Sequence, residues 1–151
     1  MPGLRSELAG YFEDRFGVDP GYWERFACHE SGDSIWITSR SMDVRDQHQT
    51  AGIRALRRTN LGLKPTTYIL QFLGDELRKN VVRLEAEEVQ RLVLEREELE
   101  TDLPRGYVVL RFDGEVLGCG LVTGSGLRTQ VPKGRTQELA TMLDIQDTTE
   151  K

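Results

Sequence analysis

Apolar positions in GLRSELAGYFEDRF, residues 3–16, recur at Leu4, Leu8, Tyr11, Phe12 and Phe16. That spacing returns to one side of a 3.6-residue helix, and Gly17 stands where a left-handed glycine would end it. Beyond the turn VDPG, the stretch from Tyr22 to Glu30 starts with Tyr22, Trp23 and Phe26, and a short helix over 21–28 is one conformation open to it. SGD then introduces SIWITS, where Ile35 and Ile37 alternate with Trp36 and Thr38. A period of two predicts a strand over 34–39.

GIRALRR at 52–58 alternates weakly and precedes the polar turn TNLG, which favours an extended segment. In LKPTTYILQFLG, Pro65 fits the first turn of a helix whose apolar face would be Tyr68, Ile69, Phe72 and Leu73, with Gly74 as its stop. KNVVRL at 79–84 reads as a β-branched strand. EAEEVQRLVLEREEL at 85–99 reads as a helix with Val89, Leu92 and Val93 inward and Glu85, Glu87 and Glu88 at the positive end of its dipole. Three strands follow, over 106–112, 115–123 and 127–132, joined by hairpins at Asp113-Gly114 and at the GSG of 124–126. TQELATML suggests a short helix before a polar tail expected to be disordered.

Length and charge refine this picture. A chain of 151 residues holds one ordinary domain or two small ones, and 38% apolar residues suffices for a packed core. No stretch approaches the roughly 18 apolar residues of a membrane span, and the first residues lack an apolar signal region, so the cytosol is the expected compartment. The net charge of −5 argues against a generally basic nucleic-acid binder, but the charges are blocked along the chain. Residues 45–83 carry 8 basic and 3 acidic side chains and residues 105–135 carry 5 and 2, whereas 84–104 carry 2 and 8.

Candidate chemistry narrows quickly. The glycines of GCG (118–120) and GSG (124–126) lie within and between alternating strands, not at a strand-to-helix turn, so a bulge and a hairpin explain them better than a dinucleotide loop. Cys28 and Cys119 are the only cysteines and have no CxxC spacing, and Cys28-His29 are badly placed as two metal ligands. A Cys-His pair with His48 has no local support, and EREELETD at 95–102 reads as a solvated face. No cofactor or metal is expected. Arg54, Arg57, Arg58, Lys64, Arg78, Lys79 and Arg83 make a cationic block that suits phosphate or a merely solvated face.

The run GYVVLRFDGEVLGCGLVTGSGLRTQVPKGR resembles a PUA domain, a small RNA-binding pseudo-barrel. The upstream GIRALRRTNLGLKPTTYILQFLG with KNVVRL looks like the pre-PUA region found with it. Together they are similar to the C-terminal part of Nol/Nop/Sun-type RNA cytosine-5 methyltransferases. The resemblance implies an α+β protein, with a pre-PUA-like α/β subdomain over 1–80, a PUA-like β pseudo-barrel over 81–140 and a tail over 141–151. It implies an RNA surface at Gly118, Gly120, Arg128, Lys133 and Arg135, joined by Arg57, Arg58 and Lys64. Bare backbone at 118 and 120 would let a ribose or base approach. The family's catalytic cysteine follows a proline, whereas Cys28 follows Ala27 and Cys119 follows Gly118. The expectation is a non-enzymatic protein binding rRNA or tRNA in RNA modification or ribosome biogenesis, with an RNA methyltransferase or ribosome-assembly factor as partner. The alternative is a protein-interaction adaptor of such a complex.

Overall fold

The helical spacing at the start of the chain closes as α1 (Leu4–Phe16), ended by Gly17 at φ 70°. Leu8, Phe12 and Phe16 are its buried residues. The structure, a computed structural model, describes residues 3–39, 52–135 and 140–141. The helix expected over TQELATML and the expected tail lie outside these residues, apart from 140 and 141. The chain divides into two compact units, 1–79 and 80–151.

In the first unit Asp19 accepts a hydrogen bond from the Gly21 amide and starts a 3-10 turn, Pro20–Arg25. Four strands follow: β1 (Phe26–Ser31), β2 (Ser34–Ser39), β3 (Ile53–Thr59) and β4 (Gly62–Pro65). They form an antiparallel sheet in that order. Residues 21–28, open between conformations in the sequence, thus split between the 3-10 turn and a strand. Helix α2 (Thr67–Leu73) is capped by the Thr66 hydroxyl, which accepts from the Ile69 amide, and stops at Gly74.

The helix face expected at Tyr68, Ile69, Phe72 and Leu73 is corrected by the structure. Ile69, Leu70 and Leu73 are buried, while Tyr68 and Phe72 are exposed at 72% and 46%. Pro65 ends β4 opposite Leu56 instead of opening the helix, so α2 starts later and turns a different stripe inward.

Successive side chains of a strand point to opposite faces. On one face of the sheet Ile35, Ile37 and Leu56 join Leu8, Phe12, Phe16, Val18, Trp23, Ile69 and Leu70, all essentially inaccessible. Phe12 and Trp23 lie 5.0 Å apart between ring centroids. Burying each such side chain contributes roughly 1.5–3 kcal/mol before the entropy of ordering it.

The second unit begins with β5 (Val81–Leu84), parallel to β6 (Gly106–Phe112). Strands β7 (Glu115–Thr123) and β8 (Gly126–Thr129) continue antiparallel, giving a sheet of order β5-β6-β7-β8. Beyond β8, Leu99 and Leu127 exchange both backbone hydrogen bonds. The sheet curls into a half-barrel around Leu84, Leu92, Val93, Val108, Leu110, Leu117, Leu127 and Val131. The fold is thus mixed α+β, an α/β unit followed by a PUA-like β unit.

The crossover helix is shorter than the 85–99 span expected. Helix α3 (Ala86–Glu88) carries a reciprocal capping box between Glu85 and Glu88 and runs on as a π-helical segment, Val89–Leu94. Val89, Leu92 and Val93 face inward as expected. Arg96, at φ 58°, then turns the chain out of the helix and gives its Nη1 to the Val131 carbonyl.

Candidate nucleic-acid interface

Two hairpins place the residues first considered for RNA contact. Asp113 and Gly114 both have positive φ, 52° and 80°, which is the tight two-residue turn that matches strand twist. Register then steps from Leu110 opposite Gly118 to Arg111 opposite Val116, so Leu117 is the extra residue of a bulge. The bulge expected near these glycines is therefore present.

Their expected opening toward RNA is not. Gly118 and Gly120 are both buried. A Cβ at Gly120 would sit 3.0 Å from Leu110 Cδ2 and from Leu127 Cδ1, and 3.1 Å from Val108 Cγ2. Glycine at 120 makes room for core side chains. Between them Cys119 is 2% exposed, and its thiol lies 3.4 Å from the Gly120 carbonyl. Burial pushes the Cys28 thiol above its usual pKa, with Arg5 opposing only in part. Neither sulfur is set up as a thiolate nucleophile.

The cations divide by partner. Arg128 is held by Glu98, Nη2 to Oε1 at 2.6 Å. Arg58 is held harder: Nη1 and Nη2 each reach a Glu7 oxygen at 2.8 Å, and Nε reaches Glu30 at 2.6 Å. Glu7 and then Glu30 raise its pKa, and in return the Arg58 guanidinium holds the Glu7 carboxyl below its ordinary value. Arg58 clamps α1 to the sheet, on the face opposite Arg57. The joint surface expected from Arg57, Arg58 and Lys64 therefore loses Arg58, because adjacent strand residues point to opposite faces. Arg57 and Lys64, directly paired across β3 and β4, stay together. Lys133 is exposed and Arg135 half-buried in a last 3-10 turn, Lys133–Arg135.

One feature of the second unit was missed. Arg83 and Arg111 face each other across the parallel pair β5–β6 and line a cleft of about 380 Å³ with Glu85, Ala86, Phe112, Asp113 and Gly114. Arg111 Nη2 donates to the Gly114 carbonyl at 2.7 Å, which fixes it over the turn. Parallel pairing of β5 with β6, reached through the crossover helix, was the signal that could have found it. Glu85 and Asp113 match the two arginines in formal charge, so the cleft is polar without a strong excess of either sign.

Among the described residues no helix is long and apolar enough to cross a membrane. Among them, too, no three His, Cys, Asp or Glu side chains converge as a metal site would require.

A family model described as the methyltransferase RsmF PUA domain matches residues 79–137. Comparisons with curated proteins and with solved structures find no match. The match covers β5 to the last 3-10 turn, the curled sheet and its crossover helix. It supports RNA binding, and these 151 residues hold no catalytic methyltransferase domain. Residues 79–137, in the second unit, thus fit a PUA region of a Sun-type RNA methyltransferase, and an α/β unit precedes them.

Proposed function

We propose that this is a non-enzymatic RNA-binding protein that acts on rRNA or tRNA in RNA modification or ribosome biogenesis, in the cytoplasm. The match of residues 79–137 to a methyltransferase PUA domain carries this reading. The geometry supports it in two ways. Cys119 is buried in a strand and burial raises the Cys28 pKa, neither of them the exposed, low-pKa setting of a nucleophilic thiol. The cleft sets an exposed Arg83 and an Arg111 held over the turn beside carboxylates, a pattern for structured RNA read by shape and polar contact more than by charge.

A methyltransferase supplied as a separate chain, or a ribosome-assembly factor, is the partner class this reading implies. Crosslinking the protein to RNA in cells and sequencing the bound fragments tests it. Enrichment of rRNA or tRNA at defined positions is expected. Uniform recovery of unrelated transcripts would sink it, and a protein partner captured equally well after nuclease treatment would favour the adaptor alternative.

A further inference from the structure

The sheet of the first unit has one face under α1 and α2 and a second face of different chemistry. Cross-strand partners share a face, so His29 of β1, Trp36 of β2 and Arg54 of β3 form one row, and Ser34, Arg57 and Lys64 form the next. His29 and Trp36 stack with ring centroids 6.3 Å apart and planes 11° from parallel. Both rings are half-buried.

Asp33 organises the cations beside them. Its Oδ1 lies 3.2 Å from Arg54 Nη2 and its Oδ2 lies 3.1 Å from Arg57 Nε. The Ser34 hydroxyl and then Arg57 hold its carboxyl below the usual range, so it stays ionised and keeps both guanidiniums in place. Arg57 uses only Nε in this pair, its side chain is 54% exposed, and its Nη groups make no bond among the described residues. Arg54 and Arg57 share the single Asp33 carboxylate, and Lys64 stands opposite Arg57 on the same face.

We infer that this face binds unpaired RNA, with a base stacked on Trp36 beside His29 and the adjoining phosphates on Arg57 and Lys64. An aromatic row on an antiparallel sheet gives a base a flat apolar surface, and flanking cations follow the backbone. This site lies outside the matched PUA segment, so it stands or falls separately from RNA binding by the second unit.

Trp36 also supplies the readout, because the other tryptophan, Trp23, is fully buried. A single-stranded oligonucleotide of about ten residues should quench Trp36 fluorescence saturably. Trp36→Phe should keep the affinity and lose the quenching, whereas Trp36→Ala should weaken binding roughly ten-fold. Arg57→Glu with Lys64→Glu should weaken it further and flatten a log–log salt slope expected near −2 for about three phosphates. The fold of each variant is checked by circular dichroism, and Arg83→Glu with Arg111→Glu, which alters the second-unit cleft, should leave the Trp36 quenching unchanged. Unquenched Trp36 at saturation, or equal affinity for wild type and a folded Trp36→Ala or Arg57→Glu, Lys64→Glu variant, would overturn the site. So would loss of binding only in the Arg83, Arg111 variant, or the same quenching by polyglutamate, which would assign the face to an acidic protein segment.

Discussion

The two sheets use the same residue types in opposite ways. In the first unit a sheet packs helices on one face and carries aromatic and cationic side chains on the other. In the second the sheet curls around its own core, Gly120 makes room for leucine and valine, and Arg128 is tied to Glu98. A basic block in a sequence therefore measures how many cations there are, and the fold decides how many remain for a ligand. Of the adjacent pair Arg57 and Arg58, one looks out from the sheet and the other holds it to a helix.

Substitution at Gly120 should sharpen this contrast most. Gly120→Val pushes a branched side chain into Leu110, Leu127 and Val108, and overpacking of this kind costs about 1–3 kcal/mol. Hydrogen exchange should speed up in β6 and β7 while α1 and β2 keep their protection. A variant of unchanged stability would return Gly120 to the list of open backbone sites.

Arg58→Ala comes next. Its exposed pairs with Glu7 and Glu30 should be worth about 1 kcal/mol together, read as a lower denaturation midpoint, with oligonucleotide affinity unchanged. Loss of affinity without loss of stability would restore Arg58 to the RNA surface.

The same clamp has a pH signature. The Glu7 carboxyl is lowered from 4.5 on folding, so its contribution is present above that value and fades as pH falls through the folded pKa. The stability difference between wild type and Glu7→Gln should therefore be largest near neutral pH and shrink below about pH 4.5. A difference constant across that window, followed by urea denaturation, would mean that Glu7 acts without its charge.

The smallest effect belongs to Glu98→Gln. Breaking its pair with Arg128, both side chains partly exposed, should cost no more than about 1 kcal/mol. A loss several times larger in thermal unfolding would make this pair a structural element of the second unit and not a surface contact.

Much of this was legible in the sequence where periodicity was strong and local. Helix α1 with its Gly17 cap, strand β2 and the β6–β7 hairpin were read nearly to the residue. Strand β1 was not, because FACHES is half-buried on both faces through its first four residues and shows no alternation. Strand β4 hid behind Gly62 and Pro65, which usually punctuate turns. The alternation of Trp36 with Ile35 and Ile37 already put that tryptophan on the far face. Its partner His29 needed the unrecognised β1. Arg58 meets Glu7 across 51 residues, and the crowding at Gly120 comes from two other strands. No local pattern could show either.

Titration of the intact protein with structured rRNA and tRNA fragments and with single-stranded oligonucleotides, at low and at raised salt, tests RNA binding most directly. Saturable binding of both is expected, with single strands the more salt-sensitive and the only ligand to quench Trp36. Absence of binding to every RNA at low salt would contradict it.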